Sequence, residues 1–168
     1  MAEQKNQNEH LNVEDALTQS EAFLIKYKNA IIGGVVAVII IVAGFIMYKN
    51  LYAEPREEKA QAALFKGQEY FEQDAFEQAL NGDSIGYTGF LKVADDYSGT
   101  KAANLAKAYA GICYAQLGKY EEAVKMLDSF NGKDQMVAPA ILGAAGNCYA
   151  QLGQLDKAAS TLLSAADK

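Results

Sequence analysis

The chain has 168 residues and a formal net charge of −6, with two cysteines, one histidine and no tryptophan. An acidic chain lacks the positive surface that binds phosphate backbones, so nucleic acid is excluded as a partner. The histidine, His10, and two cysteines are too few for a metal cluster, and no metal site or cofactor is expected. Abundant alanine with only two prolines favours closely packed helices, so the predicted fold class is all-α.

The N-terminal segment is polar and precedes a long apolar segment. Residues 1–28 are predicted to form a tail and a short amphipathic helix that Asn12 caps. Residues 29–48 carry no charge and lie between two lysines. A helix of that length spans roughly 30 Å, so 29–48 is predicted to be a transmembrane helix in a lipid bilayer. A cleaved signal peptide is the alternative, but the preceding segment is too long and too acidic for one.

Small residues lie close to one face of this predicted span. They are Ala30, Gly33, Ala37 and Gly44. Such faces let transmembrane helices pack closely, so this face is predicted to pack against another helix in the membrane. Glycine and alanine are common in any membrane anchor, and incidental composition is the alternative interpretation.

Charges on the two sides of the span bear on its orientation. Lys26 and Lys28 precede the span, and Lys49, Arg56 and Lys59 follow it. Positive residues favour the cytoplasmic side of a membrane. The count is near a tie and leans slightly towards a cytoplasmic C-terminal domain.

The strongest internal signal is a repeat in the C-terminal half. The segment GICYAQLG at 111–118 recurs as GNCYAQLG at 146–153, an offset of 35 residues. A period near 34 residues is typical of stacked helix-turn-helix units. A weaker copy at Gly67 and Tyr70 lies 44 residues before the copy that begins at Gly111. The additional residues are placed in or beside 81–89, a segment with three glycines that indicate turns.

The repeat divides residues 54–168 into about three predicted units of two helices each. Their predicted bounds are about 57–99, 101–131 and 138–168, with the insertion around 81–89. The second helix of the first unit is predicted over Ser84–Tyr97. The last helix, predicted over Leu155–Ala166, has an apolar stripe that no later helix covers. Terminal repeat units normally need a polar cap, so either a continuation of the native protein or a partner is expected to cover it.

These units resemble the tetratricopeptide repeat (TPR) family. In that family a small residue lies midway along the first helix, a tyrosine follows three residues later, and an alanine lies in the second helix. Small residues let two helices approach closely, and the aromatic ring fills the remaining space. The resemblance implies that a TPR-like helical solenoid of about three units follows the predicted transmembrane helix. The residues expected to pack the repeats are Gly67, Tyr70, Ala79, Gly111, Tyr114, Ala123, Gly146, Tyr149 and Ala158.

The two cysteines, Cys113 and Cys148, occupy equivalent positions in adjacent units. The first helices of neighbouring units lie about 8–10 Å apart, which is too far for easy disulfide bonding. Both residues are predicted to be free, buried thiols that fill space between helices.

In the TPR family the first helix of each unit lines the concave face. We call the corresponding positions the predicted groove. The residues of this face are apolar, amide-bearing or small. They lack the Lys and Asn clamp with which some family members hold the terminal carboxylate of a chaperone. An extended or helical apolar polypeptide is the expected ligand, with cover by the chain's own continuation as the alternative. The predicted groove comprises Gln61, Leu64, Gln68, Phe71, Glu72, Leu105, Ala108, Ile112, Ala115, Gln116, Asn147 and Gln151, with Ala140, Gly143 and Ala150 beside them.

The sequence offers no catalytic constellation. His10 lies across the predicted span from Cys113, Cys148 and every serine of the repeat domain, so no nucleophile and histidine can pair. Acidic pairs such as Asp95 with Asp96 are interpreted as solvated helix faces. No phosphate loop or dinucleotide fingerprint occurs. No catalytic residue is predicted, and the chain is expected not to be an enzyme.

An acidic N-terminal tail, an early single span and a degenerate TPR domain together resemble the YfgM-like family of ancillary Sec translocon subunits. The resemblance implies a bacterial inner-membrane protein with a cytoplasmic N-terminus and a periplasmic TPR domain. It further implies an adaptor role in protein export beside the SecYEG translocon, with a membrane-anchored periplasmic chaperone as partner and polypeptide clients nearby. The alternative is a TPR scaffold on the cytoplasmic face that organises a signalling or envelope complex.

Overall fold

The computed structural model describes residues 3–132, 134 and 136–167, with side chains described from Ile25 onward. Within these residues the chain forms helices and connecting turns, and no strand occurs. The chain divides into two compact units, Met1–Lys49 and Asn50–Lys168. We call the second one the C-terminal unit. The all-helical fold class predicted from composition is confirmed.

The first unit contains one long helix, α1, at Glu3–Tyr48. It is long and apolar enough to cross a membrane, by length and composition, and its apolar stretch is not buried within the structure. Val38 and Phe45, for example, are 60% and 67% exposed. The prediction of a long apolar helix near the N-terminus is confirmed. A Cβ added to Gly33 or Gly44 meets nothing within 4 Å, so packing by the small face stays a prediction.

The N-terminal end of α1 differs from the sequence prediction. The helix begins at Glu3, so Asn12 lies inside it and the prediction that Asn12 caps a separate short helix is wrong. The physical reason is that neither glycine nor proline occurs before Gly33, so nothing interrupts the helical backbone. The side chain of His10 lies outside the described part of the chain.

In the described part of the chain beyond a π-helical turn at Lys49–Ala53, seven α-helices follow. Pro55 lies in the first turn of α2, where its missing N–H would have had no partner within the helix. The helices are α2 at Glu54–Glu72, α3 at Phe76–Asn81, α4 at Phe90–Asp96, α5 at Lys101–Gln116, α6 at Tyr120–Asp128, α7 at Val137–Gln151 and α8 at Leu155–Ala166. Helix α8 has the predicted bounds.

The repeated sequence forms two equivalent helical hairpins, α5 with α6 and α7 with α8. Each turn contains a glycine with positive φ, Gly118 at 73° and Gly153 at 72°, a conformation that glycine adopts without steric cost. In both hairpins the N–H of the next residue donates to the carbonyl of the repeat tyrosine, Tyr114 or Tyr149, at 2.9 Å. The same turn therefore recurs where the sequence recurs.

Each hairpin packs a leucine of its second helix against the glycine of its first. A Cβ added to Gly111 would lie 2.5 Å from Cγ of Leu127, and one added to Gly146 would lie 2.7 Å from Cγ of Leu162. Real Cβ atoms do not approach so closely, so only glycine allows this helix separation. The alanines predicted to pack the second helices are buried, namely Ala79, Ala123 and Ala158.

The first hairpin differs because its second helix is interrupted. Helix α3 ends at Asn81, residues 82–89 form a loop, and α4 begins only at Phe90, so the prediction of one helix over Ser84–Tyr97 is wrong for its first six residues. Gly82 and Gly89 in this loop have positive φ and end the helical backbone. A Cβ added to Gly67 would collide with the side chains of Phe90, at the start of α4, and Tyr87, in the loop.

Asp83 holds this loop in place. Its carboxylate accepts hydrogen bonds from the Tyr70 hydroxyl (2.6 Å) and from the N–H groups of Ile85 (2.8 Å) and Tyr87 (2.9 Å). The hydrogen bond from Tyr70, followed by those from the backbone, lowers the pKa of Asp83 to about 2. The Tyr87 hydroxyl donates to the carbonyl of Ala79, which joins the loop to α3 (2.9 Å).

Two hydrophobic clusters form the core of the C-terminal unit. One surrounds Phe90, and the other contains Leu127 and Ile141. Cys113 belongs to the first cluster and Cys148 to the second, and both are free and buried, so this sequence prediction is confirmed. Burial raises the pKa of both thiols, that of Cys113 to about 12, which favours the neutral thiol over the thiolate.

Candidate binding surface

The first candidate surface is an open cleft of about 490 Å³ between α2 and the start of α5, the α2–α5 cleft. Leu64 and Leu105 give it an apolar floor, and Phe65, 62% exposed, adds an aromatic ring. The amide of Gln68 donates to the Tyr109 hydroxyl at 2.8 Å, which fixes its orientation. The complete lining is Glu57, Gln61, Leu64, Phe65, Gln68, Lys101, Ala102 and Leu105.

Glu57 ties the two helices of this cleft together. Its carboxylate accepts hydrogen bonds from the backbone N–H groups of Lys101 (2.7 Å) and Ala102 (3.0 Å), 44 and 45 residues along the chain. These groups belong to the first turn of α5 and have no partner within that helix. The Thr100 hydroxyl accepts from Ala103 at 3.0 Å and completes the cap. Glu57 is thus a tertiary cap for α5.

We expect Glu57→Ala to lower the free energy of unfolding of the C-terminal unit by about 1–2 kcal/mol, because two N–H groups lose their acceptor. Glu58→Ala is the matched control, since Glu58 is an exposed neighbour and its loss should cost less than about 0.5 kcal/mol. Urea unfolding of the full chain in mild detergent, followed by circular dichroism, measures both values. Equal losses in the two variants would refute the capping role.

The second candidate surface is a smaller open cleft of about 250 Å³ between α5 and α7, the α5–α7 cleft. Ile112, Ala115 and Ala144 form an apolar floor. Among the residues that the structure describes, none with a charged side chain lines it. The complete lining is Ile112, Ala115, Gln116, Tyr120, Ala144, Asn147, Cys148 and Gln151.

Three amide side chains converge on the α5–α7 cleft, from Gln116, Asn147 and Gln151. All three are exposed, and within the described residues none makes a side-chain hydrogen bond. A side-chain amide both donates and accepts, as a peptide group does. This cleft offers uncharged hydrogen-bonding groups around an apolar floor, which suits a neutral ligand better than an anion or a cation.

The two clefts contain most of the predicted groove. Gln61, Leu64, Gln68 and Leu105 line the α2–α5 cleft, and Ile112, Ala115, Gln116, Asn147 and Gln151 line the α5–α7 cleft. Glu72 is exposed and lines neither. Ligand binding by these residues stays a prediction.

One predicted groove residue lies in the core instead. Ala108 is 1% exposed and belongs to the cluster around Leu127, so the prediction that it lines the groove is wrong. A neighbouring helix covers a face that the repeat pattern assigned to solvent. Phe71 is half-buried and packs edge-on against Phe76 and Tyr109, with ring centroids 5.6 and 5.2 Å apart, so its place in the groove stays a prediction.

Several residues that line these clefts are not among the predicted groove residues. Glu57 and Phe65 lie one helical turn before and after Gln61, so helical spacing alone would have placed them on the same face. Lys101 and Tyr120 come from the ends of neighbouring helices and gave no such signal. Cys148 reaches the α5–α7 cleft although it is only 3% exposed.

A third cleft, of about 510 Å³, lies at the start of α5 and includes Lys101, Asn104 and Lys107. The side-chain amide of Asn104 donates a hydrogen bond to the carbonyl of Asn131 and accepts one from the N–H of the same residue, at 2.9 Å each. This amide is therefore already occupied. No group of three or more His, Cys, Asp or Glu side chains that could hold a metal ion is found among the residues described.

Comparisons of the chain with protein-family models, curated proteins and solved structures find no match.

Proposed function

We propose that the chain is a non-enzymatic TPR adaptor, tethered to a lipid bilayer by α1. The observation that carries the proposal is the pair of equivalent hairpins. Each packs its glycine, Gly111 or Gly146, beneath a leucine of the following helix, at a spacing of 35 residues. Helical hairpins repeated at this period form stacked scaffolds whose clefts bind other proteins.

Membrane attachment is supported by the exposed apolar side chains of α1. A helix that is apolar all round is unstable in water and is accommodated by a hydrocarbon core. The apolar part of α1 presents such a surface, with isoleucines such as Ile39 and Ile41 exposed by 60% and 70%. Tethering confines the C-terminal unit to a membrane surface and raises its effective concentration for weakly bound partners there.

The adaptor role at protein export is supported by the resemblance to the YfgM-like family. On this proposal α1 lies in a bacterial inner membrane with its N-terminus in the cytoplasm, and the C-terminal unit meets the SecYEG translocon and a membrane-anchored chaperone in the periplasm. The neutral, amide-bearing α5–α7 cleft suits segments of unfolded polypeptide, whose peptide groups donate and accept hydrogen bonds. The export role needs no catalytic residue.

Two separate experiments test this proposal, one on the membrane topology of the chain and one on its partners. We expect alkaline phosphatase fused after the C-terminal residue to be active, because that enzyme matures only in an oxidising compartment. A fused fluorescent protein that folds only in the cytoplasm is the matched control and should stay dark. The opposite pattern would select a scaffold on the cytoplasmic face.

We further expect purification of the full chain in mild detergent to recover SecYEG subunits and a chaperone of the peptidyl-prolyl isomerase type, identified by mass spectrometry. An unrelated single-span inner-membrane protein, expressed at the same level, is the control for proteins that adhere to any micelle. Consistent absence of the Sec subunits would reject the export role. It would leave the membrane tether and the repeat scaffold to be judged by the topology experiment.

A further inference from the structure

Aromatic and basic side chains enclose the apolar part of α1 at both of its ends. Tyr27 lies between Lys26 and Lys28, just before the apolar part. Tyr48 is its last residue, and Lys49 follows. The two tyrosines are 42% and 59% exposed, and the Nζ atom of Lys26 lies 5.5 Å from the centroid of the Tyr27 ring. Tyrosine has an apolar ring and a polar hydroxyl, so it concentrates where lipid headgroups meet hydrocarbon.

The distance between the two tyrosines matches the thickness of a bilayer. Tyr27 and Tyr48 both lie in α1, 21 residues apart. At about 1.5 Å per residue they are separated by about 32 Å along the helix axis. A hydrocarbon core is about 30 Å thick, so a helix that is tilted only slightly places one ring at each boundary of the core.

The lysines limit how far α1 can slide along the membrane normal. Exposed apolar side chains also lie beyond them in the sequence, namely Ile25 at 76% and Leu51 at 72%. A shift that moves Ile25 into the hydrocarbon carries Lys26 and Lys28 with it. The opposite shift, which moves Leu51 inward, carries Lys49. Charged groups in hydrocarbon are costly, and a lysine side chain reaches back only a short way to the headgroups, so both apolar residues are expected outside the core.

We propose that Tyr27 and Tyr48 hold α1 at one depth in a bilayer, with one ring in each headgroup region. Val38, which is 11 residues after Tyr27 and 10 before Tyr48, then lies near the midplane. Lys28 and Lys49 bind phosphate groups of phospholipids, one on each side of the membrane. This assignment rests on the proposed membrane tether and adds which residues of α1 contact the headgroups.

Tryptophan fluorescence tests the depth, because the chain contains no tryptophan of its own. Tyr27→Trp, Val38→Trp and Tyr48→Trp are made as single variants of the full chain in phosphatidylcholine proteoliposomes. The lipids carry bromine, which quenches the fluorescence, either close to the headgroup or close to the end of the acyl chain. We expect the end-of-chain bromine to quench Val38→Trp about threefold more strongly than the near-headgroup bromine, and the two other variants to show the reverse order.

The outcomes separate this proposal from the membrane tether. Stronger quenching of Tyr27→Trp or Tyr48→Trp by the end-of-chain bromine would overturn the assigned depth and leave the tether intact. An absence of quenching in either of these variants would also overturn it, because that residue then lies in water. If neither lipid quenches Val38→Trp, α1 does not enter the bilayer and both proposals fail.

A second measurement leaves both tyrosines in place, since tryptophan itself favours headgroup regions. Ile25→Cys, Leu51→Cys and the comparison variant Val38→Cys carry a nitroxide spin label, and the parent chain sets the background because its own two cysteines are buried. Dissolved oxygen concentrates in hydrocarbon, whereas a water-soluble nickel complex is excluded from it. We expect oxygen to relax the label chiefly at Val38→Cys and nickel chiefly at the two other positions, although all three native residues are apolar and exposed. Relaxation chiefly by oxygen at Ile25→Cys or Leu51→Cys would contradict the proposal, since a lysine would then lie in hydrocarbon.

Discussion

Phe90→Ala is expected to lower the free energy of unfolding of the C-terminal unit by about 3–5 kcal/mol, the largest loss that we predict. Phe90 is fully buried, and its ring stacks on Tyr109 with centroids 5.1 Å apart. It also packs against Tyr87, at 6.3 Å between centroids, and lies over Gly67. Its removal leaves a cavity among aromatic rings, which relax poorly because their neighbours come from α2, α5 and the loop at 82–89.

Phe65→Ala provides the matched control for this prediction. It makes the same chemical change at a residue that is 62% exposed, so the loss should stay below about 0.5 kcal/mol. Urea unfolding of both full-chain variants in mild detergent, followed by tyrosine fluorescence and circular dichroism, gives the two values. A loss for Phe90→Ala no greater than that of Phe65→Ala would show that α4 does not anchor the first cluster. Because typical domains have a free energy of unfolding of only about 5–15 kcal/mol, Phe90→Ala is expected to remove a large part of this stability.

Gly111→Ala is expected to destabilise the C-terminal unit by about 1–3 kcal/mol, although alanine is the better helix former. The added Cβ would lie 2.5 Å from Cγ of Leu127 and 3.1 Å from its backbone nitrogen. The Leu127 side chain is only 3% exposed and lies within its own hydrophobic cluster, so it has no room to move aside. Helices α5 and α6 must therefore separate. The steric cost therefore exceeds the gain in helix propensity, which is at most about 1 kcal/mol.

Gly143→Ala separates the gain in helix propensity from the steric cost of the added Cβ. Gly143 lies inside α7, and an added Cβ there meets nothing within 4 Å. The substitution should stabilise the unit by up to about 1 kcal/mol, since only the helix propensity changes. Thermal and urea unfolding of the two variants should thus shift in opposite directions. If Gly111→Ala is also stabilising, the close approach of the two helices does not require glycine.

The clefts and the core have a common origin in the repeat. Gly111 and Gly146 let the second helices approach closely, and other small residues of α5 and α7, Ala115 and Ala144, line the cleft between the two first helices. Where an aromatic side chain replaces a small one, the face is filled. Phe71 closes against Tyr109, for example, while Ala115 and Ala144 leave the α5–α7 cleft open. Substitutions that enlarge residues on these faces are therefore expected to affect stability and binding together.

Several features of this protein follow from the sequence alone. The all-helical fold, the long apolar helix, the bounds of α8 and the free, buried state of Cys113 and Cys148 were all predicted correctly. Each depends on local information, namely composition, hydrophobic periodicity and a short repeat. A pattern within one helix fixes which of its faces is apolar, because side-chain direction follows the helical period.

Only the tertiary structure decided which neighbour covers each apolar face. Ala108 carries the pattern of a groove residue, yet residues on other helices bury it. Glu57 looks like any solvated acid of an exposed helix, but α5 begins beside it, 44 residues later. The loop at 82–89 interrupts a predicted helix because Asp83 and two glycines form hydrogen bonds and backbone angles that a helix does not allow. These outcomes depend on contacts between segments far apart in the chain, which no local period encodes.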